Sequence, residues 1–248
     1  LEIIEEICSP YAKGINDMNQ GTFALVLSER SMIKIKAWFQ DTMAKTIWIE
    51  GASPFSYQSK DTQPRRELYQ SSTSIKKNCI YFSCKPKGYS ASNTPPRASE
   101  SNEEHNLISL LYAIIAQLHR LLPQEPSFTT PELHDIKFES LNKSIKSAPA
   151  ALHIIRAYLK HTAATSLLWV IDGLQFAVNA DTESYFKGLV GIIHTPELVV
   201  KSKICFTTDG KREVIFKVIS PFKPEDGSND AEIDLMNREF WHLCVSCT

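Results

Sequence analysis

Five short segments of the chain are dense in β-branched and aromatic residues and read as buried strands: Thr46–Glu50, Cys79–Cys84, Leu167–Ile171, Lys203–Thr207 and Val214–Ile219. Four are nearly continuous apolar runs rather than alternating ones, the pattern of strands covered on both faces. Helical spacing fills the intervals. Ser31–Gln40 carries Met32, Ile33, Ile35, Trp38 and Phe39, and Asn106–Leu122 is apolar on nearly every side, which predicts a central, buried helix. Ala148–His161 follows Ser147 as an expected N-cap with Pro149 in the first turn. A fourth helix is predicted over Glu183–His194, stopped by Pro196.

Strands alternating with helices predict βαβ units: an α/β fold, a three-layer sandwich around a mostly parallel sheet of about five strands. The expected organisation is a helical lead-in over residues 1–30, a core over 31–220 and a tail over 221–248. Lys85–Glu104, rich in Ser, Pro and Asn, reads as the one long irregular stretch. Ser220–Asp230, with two prolines, a glycine and several acids, reads as a second.

Composition narrows the function. The 248 residues are 43% hydrophobic, enough for a sizeable core, and Lys+Arg 27 against Asp+Glu 28 leaves a formal charge of −1. That balance argues against a dedicated nucleic-acid or membrane-surface protein. No apolar run reaches the length of a membrane span and no secretory leader pattern is present. Six cysteines, two of them inside apolar runs at Cys79 and Cys205, suit a reducing, cytoplasmic setting. A start at Leu1 rather than Met reads as a segment of a longer protein. Cys244 and Cys247, with His242 nearby, have a CxxC spacing, but no second ligand pair accompanies them.

Ligands of parallel sheets bind at the carboxyl ends of the strands. Three such ends carry candidate residues. They are Ile47-Trp48-Ile49-Glu50-Gly51 running into Ala52–Gln58, Val170-Ile171-Asp172-Gly173-Leu174-Gln175, and Lys203-Ile204-Cys205-Phe206-Thr207-Thr208-Asp209. With Ile80–Cys84 and Leu107–Leu118 between them, their order and spacing resemble the signal-transduction (STAND) P-loop NTPases of fungi, the NACHT-like group with a nephrocystin-type N-terminal NTPase domain. The resemblance runs from about Ile35 to about Arg212. It implies that Thr46–Gly51 leads into the Walker A loop, that Val170–Leu174 is the Walker B strand and that Lys203–Thr208 is the sensor strand. The site residues it implies are Gly51, Lys60, Thr62, Asp172 and Thr208 for ATP or GTP, with Asp172 holding Mg²⁺.

The chain departs from that pattern where the chemistry is done. A working P-loop reads G-x-x-x-x-G-K-[ST], its backbone amides around the phosphates, its lysine on the β/γ oxygens and its hydroxyl on Mg²⁺. Counted from Gly51, those last three positions are Ser56, Tyr57 and Gln58. A slipped register offers Lys60 and Thr62, with Asp61 between them, and Pro64 interrupts the helix that should follow. Where the family places a second acid after the Walker B glycine stands Gln175, and Asp209 follows the sensor threonines where the family tends to show arginine. A single electrostatic contributor of this kind is worth roughly 3 kcal/mol or more of transition-state stabilisation. The expectation is a degenerate, non-hydrolysing NTPase-like domain that signals through protein partners or self-association. The alternatives are a domain that still binds ATP or GTP with weak or no hydrolysis, and an active NTPase with an unusual loop.

Overall fold

The computed structural model describes residues 8, 37, 38, 40, 46–51, 78–84, 101–123, 138–195, 201–209, 213–219 and 234–236. Five strands form one sheet: β1 (Thr46–Gly51), β2 (Asn78–Ser83), β3 (Ser166–Asp172), β4 (Lys201–Asp209) and β5 (Asp234–Met236). Their order across the sheet is β2-β3-β4-β1-β5, and every pairing is parallel. Among the described residues the helices with defined bounds are α1 (Asn102–His119), α2 (Ala148–His161), α3 (Glu183–Ile193) and α4 (Glu213–Ile219). The protein is a three-layer α/β sandwich.

Because paired residues of a parallel sheet share a face, the register divides the strands into two sets. Trp48, Ile80, Leu167, Trp169, Ile171, Ile204 and Phe206 point to one face, where they form a single core with the apolar sides of α1, α2, α3 and α4. Phe186 of α3 meets Phe206 edge-on, ring centroids 5.8 Å apart. Ile47, Tyr81, Leu168, Val170 and Cys205 point to the other face and are buried as well. Lys203 lies on that second face, where its ammonium donates to the Trp38 carbonyl and sits 5.5 Å from the Trp38 ring centroid.

Helix α1 begins four residues before the sequence pattern suggests, inside the stretch expected to be irregular. The cause is a capping box. Ser101 Oγ accepts from the Glu104 amide at 3.1 Å and Glu104 Oε2 accepts from the Ser101 amide at 2.9 Å. From Leu107 to Leu118 the helix is buried at every position but Ser109, as its all-round apolar pattern predicts. The exception in chemistry is Gln117, which spans the Tyr81 peptide. Its Oε1 accepts from the Tyr81 amide at 2.9 Å, and its Nε2 donates to the Tyr81 carbonyl at 2.9 Å. This pair ties α1 to β2 at one residue.

Helix α2 occupies its predicted span, but Ser147 does not cap it. A 3-10 turn over Ile145–Ser147 runs straight into the helix, and the Ser147 hydroxyl donates instead to the Ser144 carbonyl at 2.6 Å while pairing with the Tyr112 hydroxyl at 2.8 Å. Tyr112 also accepts from the Lys143 amide at 3.0 Å, so one hydroxyl of α1 sets the entry to α2. Lys143 takes a positive φ of 62° in that entry turn. Helices α2 and α3 approach closely at Gly188, where an added methyl would meet Leu152 Cδ1 at 3.1 Å.

Val214–Ile219 corrects a strand expectation: it is helix α4. Its β-branched composition favours a strand, but Ile215, Val218 and Ile219 are the buried positions, a helical stripe that packs into the core. The fifth strand is supplied instead by Asp234–Met236 beside β1, inside the segment read as a tail. The expected helix Ser31–Gln40 and the lead-in over residues 1–30 lie outside the described residues except for Ala37, Trp38 and Gln40, which are helical, and Cys8, which is buried in the core. Among the described residues, no helix is long and apolar enough to cross a membrane.

The amino-terminal edge of the sheet holds a half-buried histidine. His194 Nδ1 faces the Val190 carbonyl at 2.9 Å, which only accepts, so Nδ1 carries the proton and Nε2 accepts from the Thr46 hydroxyl at 2.8 Å. Burial pushes the His194 pKa below its ordinary 6.5, partly offset by the Val190 bond. A depressed folded value means that the unfolded chain takes up the proton first. The His194 contribution to stability is therefore present above the unfolded value and lost as pH falls through the folded one. Urea denaturation should give lower stability at pH 5 than at pH 7.5, and His194→Gln should flatten that part of the pH profile. Gln117→Leu strips the Tyr81 peptide of both side-chain bonds. It should cost about 2–6 kcal/mol at neutral pH, counting about 1–3 kcal/mol for each of the two backbone groups that loses this partner.

Candidate functional site

The carboxyl ends of β2, β3 and β4 bring three polar side chains into line. Ser83, Asp172 and Thr207 are register partners, so they stand side by side on one face across three strands. Asp172 is 1% exposed. Its Oδ2 accepts from the Ser83 hydroxyl at 2.9 Å and its Oδ1 accepts from the Thr207 hydroxyl at 2.7 Å. The backbone continues the same ladder, with the Cys84 amide donating to the Asp172 carbonyl at 2.7 Å and the Gly173 amide to the Thr207 carbonyl at 3.0 Å.

Local sequence explains the arrangement. The middle of each strand is largely apolar, and polar side chains return at its carboxyl end. Gly173 then takes a left-handed conformation, φ 71° and ψ 37°, that glycine adopts without a Cβ penalty, and turns the chain into the 3-10 turn Leu174–Phe176. The turn is held to α1 by the Asn106 side chain, which donates to the Phe176 carbonyl at 2.8 Å. Beside the acid, burial pushes the Cys84 thiol well above its ordinary pKa and the Asp172 charge pushes it further. That thiol stays protonated and is no nucleophile at neutral pH.

Thr208 belongs to the other face. It is fully buried, and its hydroxyl accepts from the Trp48 indole at 2.9 Å. The structure therefore places Thr207, not Thr208, against Asp172. Gly51 ends β1 opposite Asp209, at the same edge of the sheet as Asp172 but about 10 Å across, two strand spacings away. Lys60 and Thr62 lie outside the described residues, as do Ser56, Tyr57 and Gln58. Ser83 and Thr207 are the partners that the sequence pattern did not single out. A signal for each was present, since Ser83 is the polar residue at the end of Ile80–Phe82 and Thr207 belongs to the sensor-strand pair.

The carboxylate and two hydroxyls are hard oxygen donors, the kind that Mg²⁺ takes. They do not fit the ion in this arrangement. Both carboxylate oxygens already accept hydroxyl protons, the acid is almost without exposure, and a cation would have to displace one of those bonds to reach it. Among the described residues, no group of three or more His, Cys, Asp and Glu side chains could hold a metal.

No protein-family model matches the chain, and no curated protein matches it. The fold and the strand tips define a class: an α/β protein with a five-stranded parallel sheet whose buried acid is clasped by hydroxyls from both neighbouring strands.

Hydrogen bonds to a charged acceptor are worth about 1.5–3 kcal/mol each. Asp172→Ala should therefore destabilise the protein by about 3 kcal/mol, and Thr207→Val by about half of that. Thr208→Val should leave the Asp172 bonds intact. A double-mutant cycle between positions 172 and 207, read by chemical denaturation, should show coupling that a cycle between 172 and 208 lacks.

Proposed function

We propose that the chain is a degenerate, non-hydrolysing NTPase-like domain of the NACHT/STAND kind that works in cytoplasmic signalling through contacts with other proteins. The observation that carries this reading is the double clasp on Asp172. In a working site of this class that carboxylate serves Mg²⁺. Here it joins three strands. The sequence departures point the same way. Ser56, Tyr57 and Gln58 replace the glycine, lysine and hydroxyl of the phosphate loop, and Gln175 has no basic oxygen with which to activate water.

Strand order supports the kinship. The strand leading to the would-be phosphate loop, β1, and the strand bearing the acid, β3, lie on either side of β4. The next strand in sequence after β1 lies toward one edge of the sheet, and the next after β4 lies toward the other. In open parallel sheets such a divergence opens a crevice at the carboxyl ends. That crevice also favours the second reading, a domain that binds ATP or GTP without turnover, through the Gly51 backbone, Lys60 and Asp172.

Thermal unfolding in Mg-ATP and Mg-GTP separates the two. A ligand present at 100 times its Kd stabilises by about 2.7 kcal/mol, and no shift is expected at millimolar nucleotide. A clear shift, matched by calorimetric binding that Asp172→Asn weakens, would replace the first reading with the second. Phosphate release lost in Asp172→Asn would make the protein an enzyme.

A further inference from the structure

From Ser140 to Ile171 the chain holds no Asp or Glu, while it carries Lys143, Lys146, Arg156 and Lys160 together with His153 and His161. The fold gathers most of these on one line. The 3-10 turn Ile145–Ser147 runs directly into α2, so Lys146, His153 and Lys160 recur at intervals of seven and Arg156 falls between them on the same side. All four are exposed. The row is about 21 Å long at 1.5 Å per residue, and Lys143 adds an exposed cation at its start. The opposite side of α2 is buried through Ala151, Ile154, Ile155 and Tyr158, so the helix is fixed in place and the basic row has one orientation.

We infer that this outer face of α2 is a docking surface for a short acidic segment of a partner protein. The charge argument selects that occupant. The stretch carries four Lys and Arg and no acid in a chain whose formal charge is −1, so the rest of the sequence is net negative. A long polyanion or an anionic membrane plane extends beyond the row of about 21 Å. An acidic segment of about four helical turns matches the row in length and ends where the row ends. The inference does not depend on whether the strand tips bind nucleotide, because α2 lends no side chain to the Ser83–Asp172–Thr207 line.

The test is fluorescence anisotropy with a labelled 15-residue peptide of alternating glutamate and alanine, using the full 248-residue chain. Saturable binding is expected at low salt, weakening as salt shortens the screening length. The exposed double variant Lys146→Glu with Arg156→Glu should bind at least about tenfold more weakly with an unchanged melting temperature. The neutral pair Lys146→Gln with Arg156→Gln should fall between. Absence of binding, or binding that the charge reversal leaves unchanged, would overturn the inference. Tighter binding of a single-stranded oligonucleotide or of phosphatidylserine vesicles through the same two residues would overturn it in favour of that other partner.

Discussion

A parallel sheet has no face to give to water, and the molecule is organised around meeting that demand. Helices α1 to α4 cover one side, where Trp48, Trp169 and Phe206 lie at 1% exposure or less. Ile47, Leu168, Val170 and Cys205 are buried on the other. With both faces committed, polar side chains in the strands are confined to the two ends. At the amino edge Thr46 meets His194 and the Trp169 indole donates to Ser202. At the carboxyl edge the Trp48 indole donates to Thr208, and Ser83 and Thr207 hold Asp172. Function in such a fold has to be built at these rims or on the outer surfaces of the helices.

The Asp172 line shows how a rim can be turned to structure. A carboxylate nearly without exposure is costly unless its oxygens are satisfied, and low dielectric strengthens each bond that satisfies it. Two hydroxyls on two different strands do this without bringing in a second charge. The neighbouring Cys84 thiol stays neutral and adds no charge beside the carboxylate. An acid held in this way stabilises the junction of β2, β3 and β4.

Much of this was legible in the sequence where a single element declares itself. The continuous apolar runs marked four of the strands to within two residues at either end, and α2 occupies its predicted span. Failures came where two signals competed. Val214–Ile219 has strand composition, but Ile215, Val218 and Ile219 have helical spacing, and burial against the core decided for the helix. Ser101 and Glu104 form a capping box that the polar composition around them concealed. Ser147 has the chemistry of a cap, but its hydroxyl is taken by Tyr112, a contact across 35 residues that no local pattern contains. β5 is three residues long and gains its identity only by pairing with β1. At the site, Asp172 was visible as an acid at a strand tip, but its partners depend on register. Thr207 and Thr208 look equivalent along the chain and differ only in the face to which the pleat sends them.

That difference makes β4 self-checking. The same alternation that sends Phe206 into the helical core sends Thr207 to Asp172 and Thr208 to Trp48. Sliding β4 by one residue would carry Phe206 toward the carboxylate in one direction, or put Thr207 in the helical core in the other, so neither neighbouring register satisfies all three demands. Insertions and deletions inside this strand are accordingly disfavoured. During folding, the strand that lies at the centre of the sheet can be accepted in one alignment only.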